Sequence, residues 1–276
     1  MENRKTLLTA SILAAGLFSS STVFADTAKD DAPDPADVTK VVTSFKLSAG
    51  TNSNNNDFAL EGELKIGGSF NPDNNFLTMI SVTGAEKEED PFEDGFDLRE
   101  MRARWFQVFG TGLAGLPKAG YSLDFIDRSN DDSDVIDNII AVGGIVKVPV
   151  LSNWVIYPNI AVVQANVKDE YKLAGTDDGI GIQVNLYNAI YLSKKGTYMM
   201  FSPQYSYLDF DGYVTQDLLL ETTLGTPITE NRRWWFNLTY KETFSDLSSD
   251  ISSMPDKSMY ANDDKRQFRA GVTYYF

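Results

Sequence analysis

From Val41 to the last residue, apolar and polar side chains take turns along this chain. Val41, Thr43, Phe45, Leu47 and Ala49 alternate with Ser44, Lys46 and Ser48. The next segment sets Phe58, Leu60, Leu64, Ile66 and Phe70 against Glu61, Glu63, Lys65 and Ser69. A period of two marks an extended strand, because successive side chains leave it on opposite faces. The pattern recurs and predicts strands over 40–50, 57–70, 76–85, 98–110, 121–128, 138–148, 153–167, 179–192, 197–208, 212–226, 232–244 and 265–276. The alternation slips near Tyr157, Asn188 and Met199, where a bulge is one explanation.

The connections between these strands also alternate. Short turns are predicted at Asn71–Asn75, Pro149–Ser152, Ser193–Gly196 and Pro227–Asn231. Between them lie longer, acidic loops at Glu86–Asp97, Ser129–Asp137, Lys168–Asp178 and Ser245–Asp264. Thr51–Asn56 and Asp209–Asp211 are brief loops on the long side, and Thr111–Gly120 is a longer turn on the short side. Short turns on one rim and long loops on the other are what a membrane-spanning barrel shows. The fold class read from this is all-β, a transmembrane antiparallel β-barrel of about 12 strands, with about 10 or 14 as alternatives. An even count returns both chain ends to the short-turn rim.

Phe70, Phe76, Phe109, Tyr121, Trp154, Tyr198, Trp234, Tyr274 and Phe276 fall beside that rim, as an interfacial girdle requires. Trp154 and Tyr198 fit the outward parity less well. A soluble β-sandwich is the rival, since it too alternates around a shared core. One-sided long loops and the start of the chain favour the barrel.

That start has the layout of a secretory signal peptide. Arg4 and Lys5 precede an apolar run from Leu7 to Leu17, and Val23-Phe24-Ala25 offers a cleavage site. The run is shorter than the roughly 20 residues a membrane-spanning helix needs. The expected organisation is a signal peptide over 1–25, a flexible acidic lead-in over 26–39 and a barrel over 40–276. The whole sequence carries a net charge of −15. Loss of the signal segment, itself net +1, leaves the mature chain more acidic still, which sets nucleic acid aside as a partner. Cysteine is absent, so no disulfide framework holds this exported chain together.

The final segment, Lys265 to Phe276, sets Phe268, Ala270, Val272, Tyr274 and Phe276 on one face and Arg269 and Thr273 on the other. A closing strand that ends on an aromatic residue resembles the bacterial outer-membrane β-barrel class, small and porin-like. In strand number and size the chain looks like the small porins for acidic oligosaccharides and the nucleoside-channel proteins, without a motif that matches either residue by residue. The resemblance implies residence in the outer membrane, contact with its lipid and lipopolysaccharide, and an assembly signal at Tyr274 and Phe276 read by the barrel assembly machinery.

Histidine is also absent, which removes Ser-His-Asp triads, Asp-His dyads and the usual zinc sites. No enzyme activity and no cofactor are implied. Gly110-Thr-Gly112-Leu-Ala-Gly115 matches a nucleotide-binding glycine pattern in letters only, because Pro117 and Gly120 follow where a helix must begin. Glu88-Glu89-Asp90, Glu93-Asp94, Asp131-Asp132, Asp177-Asp178 and Asp263-Asp264 fall on the long loops. They form either a solvated rim or oxygen ligands for divalent cations. The metal question stays open.

Parity points Lys46, Glu61, Glu63, Lys65, Glu100, Arg102, Arg104, Asp124, Asp217, Glu221, Arg233, Lys241 and Arg269 into the lumen. A charge facing mid-bilayer lipid costs about 2–4 kcal/mol, so these residues are expected to line a pore. The leading expectation is a passive diffusion channel for small hydrophilic or charged solutes. The alternative is a non-conducting structural or adhesive barrel whose acidic loops engage surface ligands.

Overall fold

The computed structural model describes residues 34–52, 57–86, 96–131, 135–169, 172, 178–249 and 265–276. They form twelve strands, in chain order β1 (Ser44–Asn52), β2 (Asp57–Asn71), β3 (Asn74–Glu86), β4 (Phe96–Leu113), β5 (Leu116–Asp127) and β6 (Ile136–Leu151), then β7 (Trp154–Val167), β8 (Asp178–Tyr191), β9 (Tyr198–Phe210), β10 (Tyr213–Pro227), β11 (Trp234–Ser249) and β12 (Lys265–Tyr275). Each pairs antiparallel with its sequence neighbours, and β1 pairs with β12 from Ser44↔Tyr275 to Asn52↔Gln267. The sheet therefore closes on itself and leaves no edge unpaired, the one way strands satisfy their backbone in hydrocarbon. The predicted twelve-stranded antiparallel barrel is what forms.

Which way a side chain points follows from the alternation. On β7, Tyr157, Asn159, Ala161, Val163, Ala165 and Val167 are buried, while Ile160 and Val162 are 62% and 63% exposed. A soluble protein does not leave such a band of large aliphatic side chains in water, and in a bilayer they meet lipid. Outside the barrel, aromatic pairs form near the short-turn rim: Phe70 with Phe76 at 5.2 Å between ring centres, and Trp234 with Tyr274 at 4.9 Å. Tyr198, whose parity the sequence left doubtful, points inward and is buried against Trp235.

The structure corrects several local readings. The first strand begins at Ser44, not at residue 40, and residues 34–43 take turns and coil. The longer turn expected at Thr111–Gly120 shrinks to Ala114–Gly115, because Gly112 adopts φ +73° and a bulge between Gly110 and Leu113 turns the chain early. Gly110–Gly115 thus ends one strand and opens a hairpin, with no helix. The register runs unbroken through Tyr157, Asn188 and Met199, and the bulges sit instead near strand ends, as at Ser69/Asn71 and Thr83/Gly84. The sequence slipped there because inward positions carry apolar or aromatic groups such as Tyr157 and Ala189. The signal segment, residues 26–33 of the lead-in and most of the acidic loop clusters lie outside the described residues.

Candidate functional site

Charge gathers on one arc of the inner wall, from β10 through β11, β12, β1 and β2 to β4 and β5. Lys46 on β1 stands opposite Glu63 on β2, and its Nζ lies 2.6 Å from Glu61 Oε1 and 3.9 Å from Glu63 Oε1. Arg269 of β12 closes on Glu61 from the other side of the seam. Glu63 also receives Lys65 at 3.4 Å and Arg104 at 3.7 Å. On β4, Arg102 forks onto Asp124 of β5, with Nε 2.9 Å and 3.2 Å from the two carboxylate oxygens and Nη2 bonded to one of them. Arg128 holds Glu100 at 3.0 Å, and Lys241 faces Glu221 across the β10–β11 pair at 3.2 Å. Each such charge finds an opposite partner, which offsets part of the cost of holding it away from bulk water.

Ten of the thirteen sequence candidates line one central cavity of about 140 Å³: Lys46, Glu61, Glu63, Lys65, Glu100, Arg102, Arg104, Glu221, Lys241 and Arg269. Asp124 serves it indirectly through Arg102. Asp217 stands nearer the long loops, where its carboxylate accepts the Ser245 hydroxyl at 2.6 Å. Arg233 does not stand on the wall. It is exposed in the turn ahead of β11, since Arg232 takes φ 54° there and strand parity does not carry through a turn. Of the two candidate assembly residues, Tyr274 packs outside against Trp234 and Phe276 is exposed.

The opposite arc, β6 to β9, is almost free of inward charge. There Asn185 Nδ2 donates to Asn159 Oδ1 at 2.8 Å, and Asn159 Nδ2 donates to Ser122 Oγ at 2.8 Å and to the Gly144 carbonyl at 2.9 Å. This amide ladder crosses three strand pairs. Its one inward cation in the barrel body, Lys147, is bound to a residue that is not in the barrel wall at all.

That residue is Asp37. Where composition predicts a flexible lead-in, residues 34–39 are packed inside the short-turn end of the lumen. Ala36 is fully buried, and Pro35 and Val38 line the cavity. Lys147 Nζ bonds the Asp37 carboxylate, which also accepts the Thr39 amide and hydroxyl at 2.9 Å and 2.6 Å. Lys118 and Asn75 donate to the Thr39 carbonyl at 3.1 Å and 3.4 Å, and the Tyr191 hydroxyl donates to Asp34 at 2.9 Å. Burial alone raises a carboxyl pKa; here the attraction and hydrogen bond of Lys147 outweigh it, so Asp37 stays below its ordinary 3.8. Beneath the segment, Tyr198, Trp235 and Tyr275 form an aromatic floor in which Trp235 lies 5.8 Å from Tyr198 and 6.1 Å from Tyr275.

This floor and this segment were not read from the sequence. The doublets Trp234-Trp235 and Tyr274-Tyr275 held the signal for the floor, because two adjacent aromatics in a strand must face both ways.

An antiparallel sheet closed on itself, apolar outside and charged within, defines a transmembrane β-barrel, and the fold is that of the bacterial outer-membrane barrels. No protein-family model and no curated protein sequence matches the chain. In structure it is similar to an outer membrane channel from Pseudomonas putida F1, with a TM-score of 0.59 and 7% identity over 90% of this chain and 100% of that one. It is similar also to the NanC porin, at a TM-score of 0.50 and 8% identity over 83% of this chain and 98% of the porin. The outer membrane phospholipase A of Escherichia coli superposes with a TM-score of 0.49 and 14% identity, over 90% of this chain and 94% of the enzyme. At these identities the likeness is one of fold.

Proposed function

We propose that the protein is a passive diffusion channel of the bacterial outer membrane, conducting small hydrophilic or charged solutes. The observation that carries this is the central cavity, lined by ten ionised side chains inside a closed barrel. A solute that sheds part of its hydration shell finds donors and acceptors on the wall in exchange, which lowers the barrier to crossing. Because the ionised groups stand on one arc and amides on the other, a permeating solute meets an electric field directed across its path. Residues 34–43 narrow the short-turn end and set the size limit.

On this reading Lys46, Glu61, Glu63, Lys65, Glu100, Arg102, Arg104, Glu221, Lys241 and Arg269 form the constriction. Asp124 buttresses Arg102, and Asp217 stands in the outer vestibule. The protein acts as a channel and not as an enzyme, in keeping with a sequence that has no histidine and no cysteine. Tyr274 and Phe276 serve as the signal to the barrel assembly machinery. The acidic loops face lipopolysaccharide, with divalent cations as bridging partners. Purified protein in a planar bilayer is expected to give discrete conductance steps. Folded protein that inserts and gives none, repeatedly, would overturn the channel and leave the structural or adhesive barrel.

A further inference from the structure

The cavity and the molecule around it carry opposite charge. The whole sequence is net −15, yet six of the ten charged residues lining the cavity are cations and four are carboxylates. Including the partners that hold Arg102 and Glu100, namely Asp124 and Arg128, does not change the excess, because they add one charge of each sign.

The sheet register shows where the excess sits. Lys65, Met79 and Arg104 stand in one row across β2, β3 and β4, and all three line the cavity. The row continues to Asp124, directly opposite Arg104, but that carboxylate is taken by the fork of Arg102. Lys65 and Arg104 are left to share Glu63, one row toward the long loops, at 3.4 Å and 3.7 Å. Both distances exceed the 2.7–2.9 Å of a committed charged hydrogen bond. Lys46 draws on the same carboxylate at 3.9 Å. One carboxylate thus serves three cations, and the space between Lys65 and Arg104 is floored by an uncharged thioether.

We propose that Lys65 and Arg104 form an oxyanion subsite, which makes the conduit selective for anions and its preferred solutes small carboxylates. The proposal deepens the channel reading and rests on it for transport, though not for binding. A planar carboxylate suits the guanidinium of Arg104, with the ammonium of Lys65 as a second point of charge. Rings of arginine and lysine set anion preference in other pores by the same electrostatics. The acidic loops do not cancel it at high salt, since at about 1 M charges are screened beyond about 3 Å in open water while groups held in a narrow lumen are screened less.

The test is the reversal potential of the full mature protein in a planar bilayer under a KCl gradient at about 1 M salt. Wild type is expected to favour chloride. The double variant Lys65→Gln, Arg104→Gln is expected to lower the chloride-to-potassium ratio about threefold or more, Lys65→Gln alone by less, and Glu63→Gln to raise it. A wild type that favours potassium, or a conducting double variant with the wild-type ratio, overturns the proposal. Should no current flow, the channel reading fails, and calorimetric titration of the detergent-solubilised barrel with malonate decides the subsite separately. Malonate binding that is lost with Lys65 and Arg104 supports the subsite, and a wild type that does not bind malonate overturns it.

Discussion

Two arcs of one wall share the same backbone and carry different things inward. From β10 round to β5 the inner face is a chain of ion pairs, in which Glu61 and Glu63 are each shared by more than one cation. From β6 to β9 it is amides, small side chains and tyrosines, with Lys147 as the lone cation of the barrel body. On the charged arc Lys46, Lys65, Arg102, Arg104, Lys241 and Arg269 each meet a carboxylate on their own or a nearby strand. On the quiet arc Lys147 finds its described carboxylate only in Asp37, outside the sheet. A buried cation without a wall partner is costly, so such a site draws in whatever part of the chain can supply the charge. The N-terminal segment is held by Lys147 and Tyr191 on the quiet arc and by Lys118 of β5 and Asn75 of β3 on the other.

The sharpest way to break this contrast is to remove the segment. Deleting residues 26–43 is expected to raise the permeability of liposomes to small sugars on the order of three- to tenfold, by widening the narrow end. An unchanged swelling rate would mean that the segment does not occupy the conducting path.

Lys147→Met should act in the same direction and more weakly, and should expose the segment to added protease. The acid response follows from Asp37, whose pKa is held below 3.8 by Lys147. The latch is then at full strength above that value and is lost as pH falls through the depressed pKa. Protection of the segment should therefore be constant between about pH 5 and 8 and fail only in stronger acid. In Lys147→Met it should be weak throughout.

On the charged arc, Glu61→Gln leaves Lys46 and Arg269 competing for less negative charge in a buried setting. A loss of about 3–5 kcal/mol is expected, read from the urea midpoint of the barrel in detergent. On the quiet arc, Asn159→Ala breaks the ladder to Ser122 and Asn185 and should cost only about 1–3 kcal/mol, with ion selectivity unchanged. Equal costs for these two changes would erase the distinction between the arcs.

The barrel was legible because parity is a local property: Leu60 and Glu61 declare their faces without knowing what stands across the strand. The lumenal charges were legible for the same reason, since lipid excludes them from the other face. Arg233 was misplaced where parity stops, at the end of a turn that begins at Ile228 and passes through Arg232. The N-terminal segment was not legible at all. Its polar, proline-bearing composition reads as disorder, and its partners Lys147 and Tyr191 lie 110 residues from Asp37 and 157 residues from Asp34. Nor could any strand read alone show that Asp124 belongs to Arg102, because the register sets Asp124 opposite Arg104 and only the reach of the Arg102 fork across the pair assigns it.

The absence of cysteine allows the water-filled lumen to be tested strand by strand. Single cysteines along β2 should fall into two sets when treated with a charged, membrane-impermeant thiol reagent. Those replacing Glu61, Glu63 and Lys65 should react and reduce the current, and those replacing Leu60, Leu64 and Ile66 should react only with a lipid-soluble reagent. Equal reaction of both sets with the charged reagent, or of neither, would contradict a continuous aqueous path bounded by this wall.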